Sequence, residues 1–241
     1  NSSFFYPEKG GIQSLIDSFE KNIDKIYKSE EVYRIDIRNK KVYLKSGSYF
    51  DYDIIISSLP LKELVSLIKR VPAKVEDAGK KLKCASLIIV NVGFKSQRKI
   101  KTQWYYLPDK DYECFRAGFY SAVSPSMAPP RMNSAYVEFS CGNRTQFPKI
   151  EKFEEKAVES LKNMGFLSSD NDVLYCKGIP VKYGYVIFDK SYENSVHRIR
   201  SYLERYHIYT IGRYGRWEYS AMTDAIMQGK EISAKITKMI I

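Results

Sequence analysis

The sequence holds only two histidines and four cysteines in 241 residues, and neither set is arranged for metal or dithiol chemistry. Cys84, Cys114, Cys141 and Cys176 are widely separated, so no CxxC spacing exists. Each sits in or near an apolar run, and we expect four small buried hydrophobes in a reducing cytoplasm. His197 lies in the charged stretch VHRIR and His207 at a strand start; HExxH and GxSxG are both absent. No apolar run approaches the roughly 18 residues that a membrane span needs. The opening, NSSFFYPEKGG, has neither a basic n-region nor an apolar h-region and does not read as a signal peptide. It also lacks an initiating Met, from which we expect processing or excision from a longer protein. There is no internal repeat and no low-complexity segment.

What is present is an ordinary globular composition, with 44% hydrophobic and 28% charged residues. The length suits one large domain or two small ones. A net charge of +11 raises the possibility of a polyanion partner. The basic residues are spread along the chain, however. The densest group is Lys95, Arg98, Lys99 and Lys101, with Lys80, Lys81 and Lys83 upstream, and these read as solvated loops and strand ends. The 20 tyrosines and 12 phenylalanines offer a stacking platform for single-stranded nucleic acid. Most fall at alternating strand positions, which points to sheet packing.

Periodicity divides the chain into three stretches, 1–75, 76–188 and 189–241. In the first, Ile12, Leu15, Ile16, Phe19 and Ile23 recur at helical spacing after a Gly pair. VYRIDI (32–37) and KVYLKSG (41–47) read as a hairpin, and FDYDIIISSLP (50–60) as one strand buried on both faces. A short helix follows at 61–71. The middle holds aromatic-rich strands at 84–94, 103–108, 114–122 and 134–142, a proline-rich loop at 124–132, an amphipathic helix at 151–164 and one or two strands at 173–188. The last stretch has a helix at 191–206 with Ser191 as a candidate N-cap, a strand at 207–212 and a helix at 220–240. In that final helix Met222, Ile226, Gly229, Ser233, Ile236 and Ile240 share one face, and the small pair permits close packing. The reading is an α/β (α+β overall) fold. The two ends form one α/β domain, and a mainly antiparallel sheet is inserted between them.

The chemistry concentrates in TIGRYGRWEYSAMTDAIMQGKEIS (210–233), which reads as strand, glycine loop and helix. Gly212 and Gly215 permit a tight turn and close approach to a ligand. The following helix presents unpaired N–H groups and a positive dipole end, suited to a phosphate or to the electron-rich edge of a reduced ring. Arg213 and Arg216 could add charge-assisted bonds to a pyrophosphate. Alternatively, Arg213 merely caps a carbonyl or pairs with Glu218.

This segment resembles the C-terminal flavin-contacting motif of the FAD-dependent amine oxidase superfamily, which includes protoporphyrinogen oxidases and UDP-galactopyranose mutases. The mutase branch is the most similar, through Gly212-Arg213, Trp217 with Tyr219, and Met222. YPEKGGIQSLIDSF (6–19) resembles the superfamily's Gly-Gly and helix segment, and residues 30–60 resemble its β-meander. The resemblance implies FAD as cofactor. It implies cofactor contacts at Gly10, Gly11, Val32 (through its backbone, to the adenine), Gly212, Arg213, Trp217 and Met222. The Met222 amide would face the pyrimidine edge of the flavin, and Tyr183, Tyr185 and Tyr219 would line the substrate side. It implies no particular catalytic residue.

Two departures stand out. No GxGxxG fingerprint occurs, and the family's usual Gly-Asp at the final strand is Gly212-Arg213. We therefore expect an incomplete portion of a flavoprotein, needing a missing N-terminal FAD-binding half and binding FAD weakly or not at all by itself. The leading expectation is a cytoplasmic oxidoreductase passing hydride between a small organic substrate and flavin. The alternatives are a mutase that uses reduced FAD on a nucleotide sugar, with Arg116 or Arg131 on its phosphates, and a noncatalytic polyanion-binding module. Nucleic acid is not an expected partner.

Overall fold

A computed structural model describes residues 5–96, 99–143 and 146–240; Arg98, from the basic group, lies outside them. In chain order the first elements are α1 (Gln13–Glu20), β1 (Val32–Asp36), β2 (Lys41–Leu44), β3 (Tyr49–Asp51), β4 (Ile55–Ser57), α2 (Leu61–Leu67) and α3 (Ala73–Lys81). Next come β5 (Lys83–Lys95), β6 (Trp104–Tyr106), β7 (Arg116–Phe119), α4 (Tyr120–Val123), β8 (Met132–Gly142) and α5 (Glu151–Asn163). The last are β9 (Val173–Ile187), α6 (Tyr192–Glu204), β10 (Ile208–Thr210), α7 (Gly212–Gly215) and α8 (Met222–Ile240). No described helix is long and apolar enough to cross a membrane.

The chain forms two units, Asn1–Ile26 with Ala85–Gly184, and Tyr27–Cys84 with Tyr185–Ile241. This differs from the three stretches read in the sequence, because the Gly-Gly segment groups with the middle sheet. Polar ties explain it. Ser124 Oγ and Ser126 Oγ both donate to the Glu8 carbonyl, at 2.9 and 2.6 Å.

The first unit is built on a five-stranded sheet in the order β6-β7-β8-β5-β9. β5 and β8 pair antiparallel from Leu87↔Ser140 to Lys95↔Met132, and β7 pairs antiparallel with β6 and β8. Alternate residues of these strands (Ile88, Val90, Val92 and Phe94; Ala135, Val137 and Phe139; Ala117 and Phe119) are buried against Ala157 and Leu161 of α5 and Phe166 beyond it. Burying each such large side chain contributes about 1.5–3 kcal/mol. Pro180 is tolerated because β9 is an edge strand. On the second face Arg116 lies directly opposite Glu138 and bonds it through two nitrogens, at 3.0 and 2.5 Å. Burial pushes the nearby Tyr120 phenol up to about 12. Cys84, Cys114 and Cys141 are buried, Cys176 is half-buried, and none of the four forms a disulfide.

The second unit contains the meander β1-β2-β3 and a two-stranded parallel sheet, β4 with β10. Tyr33, Tyr43 and Tyr49 stack across the meander, with Arg34 and Lys41 over two of the rings. Helices α2, α3 and α6 bury Leu61, Leu64, Val75, Ile199 and Leu203.

Four expectations are corrected here. Residues 50–60 are not one continuously buried strand: β3 completes the meander, β4 is only three residues long, and Ile56 is 45% exposed. A parallel pair with no further strand among the described residues leaves surface that such sheets normally cover. Lys80 and Lys81 lie on α3, not in a loop. Pro72 opens that helix, and Glu76 pairs with Lys80 one turn on, at 2.7 Å. Ser191 occupies the N-cap of α6 without a side-chain cap; its amide and hydroxyl instead donate to Asp189, at 2.9 and 2.7 Å. The apolar stripe of α8 is open at its N-terminal end: Met222 and Ile226 are about half exposed, and a methyl group added at Gly229 would meet nothing within 4 Å.

Candidate functional site

The site is built where β10 ends. Ile211 N–H donates to the Ser57 carbonyl at 3.0 Å, extending the parallel pairing by one step. Gly212 then adopts φ +74, which turns the chain into α7 and which a side chain would strain. Gly215 closes that turn for a different reason. A Cβ there would sit 2.8 Å from the Ser57 carbonyl oxygen and 3.2 Å from Ser58 Cα, so only glycine lets α7 lie against the end of β4. Trp217 follows at φ +56, an uncommon conformation for a bulky residue. Its carbonyl accepts from Tyr192 Oη at 2.7 Å, and Glu218 N–H reaches back to the Arg213 carbonyl at 2.9 Å. Burial raises the Tyr192 and Tyr214 phenols, so both stay protonated around this turn.

Arg213 does two things. Its Nε and Nη2 hold the Ser220 carbonyl at 2.8 and 2.6 Å, and its guanidinium lies 4.9 Å from the centre of the Tyr219 ring. Tyr185 stacks next to Tyr219, with centroids 6.1 Å apart and planes 33° apart. The result is a layered Arg213–Tyr219–Tyr185 surface whose middle ring is 66% exposed. Arg216, not Arg213, approaches Glu218, at 3.4 Å.

A residue missed in the sequence completes the frame. Gln228, a buried residue of α8, accepts the Gly212 N–H and donates to Glu218 Oε1, each at 2.6 Å. Its signal was a polar residue inside an apolar helix, sharing a face with Ala221, Ala225 and Ile232. Reading the stripe through Met222 and Ile226 placed the packed face on the wrong side.

The start of α8 is open. Asp224 caps the Ala221 amide at 2.7 Å, and the first turn closes through Ala225 N–H to the Ala221 carbonyl. The amides of Met222 and Thr223 precede the first helical donor, the Ala225 amide, at the positive end of a 19-residue helix. Met222 itself is 54% exposed.

The remaining expected residues fall as follows. Val32 starts β1 at a register shift between Val32 and Arg34, where backbone groups leave the regular ladder. Gly10 and Gly11, at φ +79 and +62, belong to the other unit, and Gly11 lies against Met127. Tyr183 is half-buried in that unit, two residues before Tyr185 on β9. Arg116 is engaged by Glu138, and Arg131 is an exposed turn residue at φ +64. His197 and His207 are exposed. Trp217 is completely buried, so its indole packs in the core of this chain and presents no exposed face.

An FAD-type ligand therefore fits this chain unequally. The ring end has uncommitted amides and an exposed aromatic stack. At the phosphate end the Gly212 amide and the Arg213 guanidinium already serve Gln228 and Ser220.

No family model matches the chain. A stretch of 110 residues is 27% identical to protoporphyrinogen oxidase of Dictyostelium discoideum, covering 42% of this chain and 20% of that protein. The fold is similar to that of reduced UDP-galactopyranose mutase, with a TM-score of 0.88 at 19% identity, over 97% of this chain and 52% of that one. It is also similar to an oxidoreductase from Methanosarcina mazei, with a TM-score of 0.62 at 17% identity, over 92% of this chain and 54% of that one. The chain thus spans about half the length of these two structures and a fifth of the curated relative.

Proposed function

We propose that this chain, which has the fold of the FAD-dependent amine oxidase-like superfamily, forms the ring-binding end and the substrate-side sheet of a flavin-dependent oxidoreductase. The observation that carries this reading is the open start of α8 beside the Arg213–Tyr219–Tyr185 stack. Bound FAD would supply hydride transfer. The chain's own residues bind and orient. The Met222 amide holds the pyrimidine edge, where the helix dipole favours negative charge. The Val32 backbone takes the adenine, and the Gly10-Gly11 turn lies beside the ring. Tyr183, Tyr185 and Tyr219 line the substrate side.

The pyrophosphate falls to a separate dinucleotide-binding half. The GxGxxG motif is absent, and the donors at Gly212 and Arg213 are already engaged. The same half is the partner we assign to the open face of β4 and the apolar stripe of α8, both of which need cover. Alone, the chain binds FAD weakly or not at all. The test is the colour of the purified parent protein. A colourless parent in which added FAD causes no spectral shift would end this reading.

A second reading, a mutase acting on a nucleotide sugar through reduced FAD, is favoured by Trp217, Tyr219 and Met222 after Gly212-Arg213 and by the 0.88 TM-score. Nucleotide-sugar turnover that needs dithionite and no electron acceptor selects the mutase. Turnover that needs an acceptor selects the oxidoreductase.

A further inference from the structure

We propose that the trough between α3 and α6 is an anion site for a phosphate group, either free or carried as a monoester on a polar small molecule. The trough exists because the helices meet on small residues. Ala78 and Ser195 lie on its floor, 3% and 4% exposed, and the trough is an open groove of about 560 Å³. Lys74, Lys81 and Arg198 stand around its rim.

The rim cations differ from their neighbours. Lys80 is paired with Glu76 and Lys83 with Asp189, at 2.7 and 2.9 Å. Lys74, Lys81 and Arg198 have no carboxylate partner among the described residues. Asp77 is the one carboxylate lining the trough. Three cations against one carboxylate leave a local charge that a phosphate dianion complements. Ser195, only 4% exposed on the floor, brings a hydroxyl that gives the anion a polar contact from below. The rest of the trough is polar and open, which suits a sugar or similar body better than a lipid chain. This site does not depend on the flavin reading.

The test is calorimetric titration of the full chain at low salt with inorganic phosphate and with a hexose phosphate, using the unphosphorylated hexose as control. We expect saturable one-to-one binding of the phosphorylated compounds and none of the control. Tighter binding of the hexose phosphate identifies a monoester site, and equal binding identifies free phosphate as the ligand. Arg198→Ala or Lys81→Ala should weaken binding about tenfold. Asp77→Asn removes the opposing carboxylate and should tighten it about threefold. Asp77 is exposed, so this variant keeps the test decisive if Arg198→Ala fails to fold. Absence of saturable binding, an Asp77→Asn variant identical to wild type, or steeply salt-dependent binding of a nucleic acid in place of the small anions would overturn the proposal.

Discussion

Replacing Gly215 by alanine should damage the candidate site through a single methyl group. The added carbon would lie 2.8 Å from the Ser57 carbonyl oxygen and 3.2 Å from Ser58 Cα. Neither atom can give cheaply, since the same carbonyl accepts the Ile211 amide at 3.0 Å. Relief requires moving α7 off β4 by a few tenths of an ångström, and such overpacking costs about 1–3 kcal/mol. For a chain of this size that is a drop in Tm of roughly 2–12 °C. Gly229 provides the control. Its Cβ would meet nothing within 4 Å, so Gly229→Ala should stabilise α8 by about 0.5–1 kcal/mol. Thermal unfolding followed by circular dichroism reads both variants. A Gly215→Ala protein as stable as wild type, or a Gly229→Ala protein less stable, would refute the packing argument. If the proposed second half covers α8, Gly229→Ala should also weaken its association, and a pull-down of that half measures this.

Asp189 is held at a pKa of about 2 by the Ser191 hydroxyl, by Lys83 and by the Ser191 amide. Its contribution to stability is present above the ordinary value of 3.8 and is lost as pH falls through about 2. Asp189→Asn should therefore flatten the stability profile between those values, and acid titrations of the two proteins compare it. Glu138→Ala should cost about 3–5 kcal/mol by stranding Arg116, while Arg116→Met with Glu138→Leu should recover most of it in urea melts. Tyr219→Ala should leave the melting temperature of the chain near that of wild type, because the ring is largely exposed. If Tyr219 lines the substrate side, the same change should raise KM in the assembled enzyme, and steady-state kinetics read this.

Local patterns were legible wherever neighbouring residues decide the outcome. Alternation in β5 and β8, helical spacing in α5 and α6, and the strand–glycine–helix order at 210–233 all appear in the fold. Burial was less legible where it depends on a distant surface. The apolar run at 50–60 implied cover on both faces, yet β4 pairs only with β10 and Ile56 is open. Likewise α8 carries two apolar stripes, and composition alone did not reveal that the one through Gln228 faces the protein. Trp217 was legible as part of a motif but not as a core residue, because a left-handed turn held by Tyr192 buries its ring. The α3 helix was missed because its lysines suggested solvated loop, although Pro72 and the Glu76–Lys80 spacing were present.

The central claim rests on the Met222 amide, which one substitution removes without disturbing the helix start. Met222 is the first residue of α8, a position that tolerates proline. The measurement is flavin content and reduction potential of the chain assembled with the proposed dinucleotide-binding half, as wild type and as Met222→Pro. We expect one flavin per wild-type assembly and a potential lower by about 30–60 mV in the variant, the equivalent of one hydrogen bond to a charged group. A colourless assembly, or an unchanged potential in Met222→Pro, would contradict it.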